Sequence, residues 1–450
     1  MNGTITPSWN QRSRLARLVE DAAAGLYRPQ HTISALRVRG ELDLAALNRA
    51  WLHLQRRHPV LLTSFDPGKP LWRLDPVTPV ELVRLPPLAD AQQALLREAE
   101  RPFDIERGPL ARLVAIPLSG TAEMLLGLVI DHLVSDAWSR RILVGDLYGL
   151  YNLEIGVSTE PLPKAPAAYA GWVERQNDYV QTASGLAQRR IARQLVPPRP
   201  EPAGRADVPR IMRELGADLY ERLRPAARRF RLTRLQLVLA ALDAALGELG
   251  EHWPAGTLVT VAGRPRPDLH GSVGWFADYV PVLVDRGRRA DPGEHVRSFR
   301  EAVVSALDLA RVPWPLVVAD ALPDRFTRPM ALPFLSFNAQ PLRMGAAVDP
   351  APFAGTEVEE IPVHLGRPDG TLLAYCSEHA DGSLRVALRY QPERYDEAEV
   401  LLLWQTAVAR LDQFAEGTDR RGIAEGKDRS GERFDRFAEG TDHRDGRAGQ

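Results

Sequence analysis

The stretch MLLGLVIDHLVSDAWS, Met124–Ser139, decides the class of fold. Its first seven residues are apolar at every position. Both faces of an extended strand there must be covered, as in the centre of a sheet with layers on either side. The run leads straight into Asp131, His132, Ser135 and Asp136, and then into a helical pattern over Trp138–Leu153. In this α/β order, reactive groups sit at the C-terminal end of the strand. Asp131 and His132 are adjacent, so on a strand they point to opposite faces and Asp131 is not the direct partner of the His132 ring. Asp136 suits the cap of the following helix or a pair with a distant arginine. On residue chemistry alone the segment reads as a satisfied histidine at a strand end beside a capping aspartate. A metal site from Asp131, His132 and Asp136 lacks the rest of its ligands.

The alternation extends outward. Helical patterns over Gln11–Ala24, Asp43–His58 and Asp90–Glu100 interleave with strand-like runs over Thr32–Val38, Val60–Phe65 and Leu110–Pro117. After the proline-rich break PPRPEPAG, Pro197–Gly204, the theme repeats. Helical patterns over Leu219–Phe230, Arg234–Leu249, His295–Leu309 and Ala398–Phe414 accompany strand-like runs over Leu258–Ala262, Tyr279–Val284, Met330–Phe337, Thr371–Ser377 and Leu384–Tyr390. The expected organisation is two α/β lobes, residues 1–185 and 186–415, followed by a tail over 416–450. FAEGTD occurs at Phe414–Asp419 and again at Phe437–Asp442. The tail is charged and almost free of aliphatic residues, so it is expected to be disordered, of low complexity and without a catalytic role.

Composition excludes several classes. The 57 basic residues balance 58 acidic ones for a net charge of -1, which argues against broad nucleic-acid or anionic-membrane binding. The single cysteine, Cys376, excludes an intrachain disulfide, a CxxC redox pair and a cysteine-rich metal site. It sits in a strand-like run and reads as an inert buried thiol. No apolar run approaches the roughly 18–20 residues of a membrane span, and the N-terminus lacks the apolar core of a signal peptide. A cytoplasmic protein is expected. The sequence contains no Walker loop, GxGxxG, GxSxG or HExxH motif. His58, before Pro59, reads as a helix end, and Asp104 with Arg107 as a structural turn.

Asp131-His132-Leu-Val-Ser-Asp136-Ala137 resembles the HHxxxDG hallmark of nonribosomal peptide synthetase condensation domains, members of the chloramphenicol-acetyltransferase-like superfamily. The second histidine, the aspartate and the following Ser139 match; the first histidine and the glycine do not. Further matches follow in the family's order. Thr6-Pro7-Ser8 with Gln11 resembles the opening helix motif, and Arg57-His58-Pro59-Val60-Leu61 leading to Phe65 resembles RHxxLRTxF. Arg101–Leu110 resembles PFDLxxGPLLR, and Ala168–Trp172 resembles YADYxxW. Val261–Pro267 and Val273–Pro281 resemble AGRxxP and VGxFVNTLP, with Val312-Pro313-Trp314 and Ser336-Phe-Asn338 as fainter echoes. The resemblance covers roughly residues 5–415.

The resemblance implies two chloramphenicol-acetyltransferase-like lobes in a V, with the active site in a tunnel between them. Carrier proteins would bring thioester-linked donor and acceptor from opposite ends. His132 would position or deprotonate the nucleophile, and Asp136 and Ala137 complete the catalytic candidates, the Ala137 N–H as an oxyanion donor. If that position required positive φ, alanine there would be strained. Asp131, Arg264 and Ser139 are expected to be structural, with Asp136 pairing to Arg264 across the lobes. Trp275, Asp278, Tyr279, Ser336 and Asn338 are the tunnel candidates. The expected function is that of a freestanding enzyme, acting in trans, which transfers a carrier-bound acyl or aminoacyl group to an amine. Ester formation with an alcohol stays open as an alternative. So does heterocyclisation, whose DxxxxDxxS signature is met by Asp131, Asp136 and Ser139 although that motif normally lacks the histidine. A catalytically silent domain that recruits partners is the third alternative, and Asp278, where the family usually has asparagine, favours it. The chain itself is expected to bind no cofactor or metal. The partners are a peptidyl or acyl carrier protein bearing 4'-phosphopantetheine, and a small-molecule or carrier-bound amine or alcohol.

Overall fold

The computed structural model describes residues 3–166, 168–197, 209–284, 291–340, 351–363, 370–379 and 381–416. The first half runs through β1 (Thr4–Ile5), α1 (Trp9–Ala23), β2 (His31–Arg39), α2 (Leu44–Arg57), β3 (Ser64–Asp66), β4 (Leu71–Arg73) and β5 (Val83–Arg84). It continues with α3 (Ala91–Glu100), β6 (Ala111–Pro117), β7 (Glu123–Asp131), α4 (Ala137–Glu154), α5 (Tyr169–Tyr179) and α6 (Ala183–Arg193). The second half has β8 (Arg210–Leu215), α7 (Ala217–Phe230), α8 (Arg234–Leu249), β9 (Gly256–Val261), β10 (Asp278–Val282), α9 (Pro292–Leu309) and α10 (Trp314–Ala321). It closes with β11 (Phe334–Gln340), β12 (Glu357–Ile361), β13 (Leu372–Glu378), β14 (Leu384–Tyr390) and α11 (Glu397–Glu416).

Two large sheets organise the chain. One has the order β12-β2-β7-β6-β5 and the other β10-β9-β11-β13-β14-β8; a small β1-β4-β3 sheet stands beside the first. β7 is central, as its all-apolar run requires. Leu126, Leu128 and Ile130 face a core shared with Trp51, Leu143 and Leu147 of α2 and α4. Leu125 and Val129 face the opposite core, where Leu95 of α3 packs. Gly127 lies on that second face, and a Cβ there would stand 2.1 Å from Leu95 Cδ1, so glycine is what admits α3. In the second lobe, α8 is buried at seven successive positions, Leu237–Asp243, and packs with α11 against one face of the six-stranded sheet. Strand β14 shows the half-buried alternation: Leu384, Val386, Leu388 and Tyr390 enter that core, while Arg389 takes the other face. No single described helix is long and apolar enough to cross a membrane.

Several expectations need correction. The division of the chain at residue 185 does not describe the sheets, because β12 leaves the second half and pairs antiparallel with β2. Its approach is anchored by Phe353, buried with its ring centroid 4.7 Å from Tyr148 and 5.1 Å from Tyr151 of α4. The strand reads EVEEI, a charged edge whose Glu359 takes a hydrogen bond from Arg39, so no apolar period announces it. The run from Val60 to Phe65 begins as a 3-10 turn over Pro59–Leu62, with proline at its start, and the strand opens only at Ser64. The strand placed at Met330–Phe337 is Phe334–Gln340, starting after Pro333. Residues 417–450, nearly all of the expected tail, lie outside the described residues.

Gly127→Val is expected to destabilise the protein by about 1–3 kcal/mol, since the added methyls must displace a fully buried Leu95. A lower urea midpoint at unchanged m-value would show it.

Candidate active site

β7 ends at Asp131, a 3-10 turn occupies His132–Val134, and α4 begins at Ala137. The loop between is held from the other lobe. Asp136 Oδ2 accepts hydrogen bonds from Arg264 Nη1 at 2.8 Å and from the backbone N–H groups of Phe276 and Ala277 at 2.9 and 3.1 Å. Asp136 Oδ1 accepts from Arg264 Nη2 at 3.1 Å and, as the helix cap, from Ser139 N at 2.8 Å. Ser139 Oγ also accepts from Arg264 Nη2, at 2.8 Å, and donates to Gly274 O at the same distance. The Arg264 guanidinium lies 4.1 Å over the Phe276 ring. Gly263 before it has φ +66°, and a Cβ there would stand 1.8 Å from Phe276 O, so only glycine brings the arginine in.

The Asp136–Arg264 pair that the resemblance implies is formed, and the carboxylate grouped with the catalytic candidates stays away from the cavity. Both carboxylate oxygens are committed, the residue is 1% exposed, and it does not line the cavity between the lobes. Its oxygens join the loop to Arg264 and to the Ser139 N–H. Burial alone would raise its pKa; the Arg264 charge and the hydrogen bonds overcome that and hold it below the ordinary carboxylate range. Ala137, the other catalytic candidate, is the first residue of α4 and likewise does not line the cavity. Among the described residues only Arg231 is a non-glycine with positive φ, so alanine at 137 carries no such strain.

Asp131 fills its place with a second buried ion pair. Arg14 of α1 donates through Nε to Oδ1 at 3.2 Å and through Nη2 to Oδ2 at 2.8 Å, and Oδ1 also accepts from Leu133 N at 2.9 Å. His31, the register partner of Asp131 on β2, brings its Nε2 within 3.6 Å of Oδ2. The same helix fastens the turn through Gln11 Nε2, which donates to Leu133 O at 2.7 Å. His132 is thereby left facing the cavity, half-buried, with its ring centroid 4.2 Å from that of Trp275. Burial lowers its pKa below that of an ordinary imidazole, so the ring is neutral at pH 7 and can accept a proton.

The cavity has a volume of about 310 Å³. Of the tunnel candidates, Trp275 and Tyr279 line it; Asp278, Ser336 and Asn338 do not. Asp278 is buried where β10 meets α10, accepting from Tyr279 N at 2.8 Å and Trp314 N at 3.2 Å, and burial pushes its carboxyl up to about 7. Ser336 shares the cavity face of the sheet with Leu373 but lies under Gly370, where a Cβ would stand 3.2 Å from Ser336 Oγ. Asn338 sits two residues farther along β11, on the same face.

Arg14, His31 and Arg389 are among the lining residues that escaped the sequence reading. Arg14 had a signal, since it stands one turn after Gln11 on α1. Arg389 had the alternation of β14. His31 had none; strand register alone sets it beside Asp131.

The chain matches the family model described as Condensation domain over residues 30–422. It is similar to phosphinothricin tripeptide synthetase PhsB of Streptomyces viridochromogenes, 31% identical over 86% of this chain. The match spans 34% of that relative, about a third of its length. Among solved structures it is similar to the X-domain from teicoplanin biosynthesis, with TM-score 0.75 and 24% identity over 92% of this chain and 96% of that one. That X-domain has also been solved in complex with OxyB. The first condensation domain of the calcium-dependent antibiotic synthetase is another neighbour, with TM-score 0.69 and 21% identity over 90% of this chain and 95% of that one. The fold is therefore the two-lobed α/β fold of these condensation-domain structures.

Arg264→Ala leaves the Asp136 carboxylate buried without its countercharge and is expected to cost about 3–5 kcal/mol in urea unfolding. The Asp136 pKa is lower in the folded state than the reference 3.8, so its contribution is full above that value and fades as pH falls through the folded pKa. The deficit of the variant, followed by acid titration of stability, should accordingly shrink toward low pH.

Proposed function

The chain belongs to the condensation-domain family, and on that premise we propose that it transfers a carrier-protein-bound acyl or aminoacyl thioester to an amine, forming an amide in nonribosomal peptide biosynthesis. The observation that carries the reading is the placement of His132: a neutral imidazole on the cavity wall, at the end of the central strand, in a loop clamped from both lobes.

The nucleophile's nitrogen attacks the thioester carbonyl and a C–N bond forms. His132 takes the proton the nitrogen sheds, and the collapsing intermediate breaks the C–S bond. The thiol of the carrier's 4'-phosphopantetheine leaves and recovers the proton. General-base help of this kind is worth about 10²–10⁴ in rate, while holding two tethered reactants together is worth more. Trp275 fixes the plane of the imidazole by ring contact. Arg14, Asp131, Asp136 and Arg264 hold the loop without reaching the reacting atoms.

An alcohol in place of the amine gives an ester by the same steps. Heterocyclisation draws less support, because the carboxylates of Asp131 and Asp136 are both spent on arginines and neither lines the cavity. A recruiting domain remains the reading of another class, and the X-domain bound to OxyB illustrates a neighbour held by a partner.

The test loads a carrier protein with an acyl thioester, adds the purified chain with a pool of amines and alcohols, and follows acyl loss by intact mass spectrometry. His132→Ala should slow transfer by about 10²–10⁴. The product mass separates amide from ester, and a ring is lighter than the linear amide by one water. For the wild type the rate should rise with pH through an apparent pKa below the ordinary imidazole value of 6.5 and then level, since protonated His132 cannot act as base. Transfer at an unchanged rate in the variant removes His132 from the mechanism. Tight carrier or enzyme binding without any transfer replaces this reading with the recruiting one.

A further inference from the structure

One layer behind the cavity wall lies Asp278, in a stretch where the VGxFVNTLP pattern has asparagine. It opens β10, is buried, and sits where the elements that supply the wall meet. Tyr279 beside it, Asn10 of α1 and Pro315 of α10 all line the cavity. Oδ1 of Asp278 accepts from Tyr279 N and from the N–H of Trp314, the residue before Pro315. The Asn10 side chain, whose Nδ2 donates to Ala277 O at 3.4 Å, also reaches the carboxyl. Oδ2 is buried without a hydrogen-bond partner, and among the described residues no charged group pairs with this carboxyl. On α1, Arg12 is held by Asn177 and Arg14 by Asp131. Beyond β9, whose Val261 is the register partner of Asp278, Arg264 is spent on Asp136. On α10, Asp320 pairs with Arg189, and Arg311 ahead of that helix lies over the Tyr179 ring. The other titratable group on β10 is the Tyr279 phenol.

A buried carboxylate with one bare oxygen and no countercharge is costly, and such a group holds its proton instead. Burial here pushes the pKa up to about 7, against the hydrogen bonds of Tyr279, Trp314 and Asn10, which lower it. Protonated, the carboxyl has the shape of a carboxamide, with one oxygen to accept and a donor on the other arm. We propose that Asp278 is a positioning residue that works as the neutral acid: Oδ1 ties β10 to α10, the O–H on Oδ2 turns to the Asn10 amide oxygen, and the cavity wall stays closed while that proton is in place. Losing it leaves a bare charge in the seam. Water entering to solvate that charge parts β10 from α10 and shifts Asn10 and Tyr279 at the wall. The site thereby answers to pH through a group other than His132. The inference rests on the condensation reading only for taking this wall as the substrate's.

Folding favours the neutral form, so its contribution is whole below the ordinary carboxylate value of 3.8 and is lost as pH rises to about 7. Infrared difference spectra of the full chain, wild type minus Asp278→Asn, read the proton. At about pH 6 they should show one protonated carboxyl, replaced by carboxylate at about pH 8. Hydrogen exchange, corrected for the intrinsic rate, reads the seam at the amides of Tyr279 and Trp314. Their protection in the wild type should fall by up to about tenfold per pH unit between about pH 5 and 7 and then level. Asp278→Asn, which keeps the acceptor and the donor without a charge, should hold it constant. In the amine-transfer assay the ratio of wild-type to variant KM should rise at least about threefold over the same interval, with the kcat ratio flat. Carboxylate already at about pH 6, protection that does not change with pH, or a flat KM ratio overturns the inference. The wild-type exchange series decides even if the variant does not fold. A retained proton and a pH-dependent seam in a protein without His132-dependent transfer sink the condensation reading alone. His132-dependent transfer over a seam indifferent to pH sinks this one alone.

Discussion

Asp136 and Arg264 come from opposite lobes, and both are buried, so each charge relies on the other to stay ionised away from water. Two chain segments that share no strand are tied at this point. The consequence reaches outward along the hydrogen bonds. The same carboxylate takes the N–H groups of Phe276 and Ala277, which sets the chain that delivers Trp275 to the ring of His132. It also caps α4, whose first turn carries Ser139 into the cluster. Gly263 permits the approach and Phe276 covers the guanidinium. Pull out the arginine and the cavity wall, the helix cap and the loop lose a common anchor.

The Arg14–Asp131 pair does the corresponding work from α1. Its presence changes what the unusual aspartate means. A buried carboxylate where the HHxxxDG hallmark has its first histidine would be costly if it stood alone. Here it meets a two-pronged guanidinium, a backbone N–H and the edge of His31. Asp131 and Arg14 are a matched set, and each makes sense only with the other. The departure from HHxxxDG therefore amounts to a rebuilt support under His132, not a broken one. Ala137 fits the same view, since the helix start at that residue asks nothing of glycine.

What was legible in the sequence follows the range of the interactions. β7 declared itself because burial on both faces leaves an unbroken apolar run, and Asp136 with Arg264 could be paired through motifs that a resemblance supplied. β12 was silent, because an edge strand held by glutamate–arginine contacts carries no apolar period. Ser336 and Asn338 sit on the right face of the right strand, but Gly370 roofs Ser336 and neither reaches the cavity; strand parity gives a face and not a depth. His31 is placed by register across to β7, a relation between residues far apart in the chain that no local pattern encodes.

Charge on the two cavity walls carries the remaining step of the argument. Along α1, Gln11 and Arg14 face the loop they support, while Arg17, one turn farther, lines the cavity and approaches Asp21. On the far wall, β14 spends its apolar alternates on the core and turns Arg389 toward the same space. Support of the loop explains Arg14. The loop held in this way keeps His132 at the cavity wall, with both charged supports on its far side.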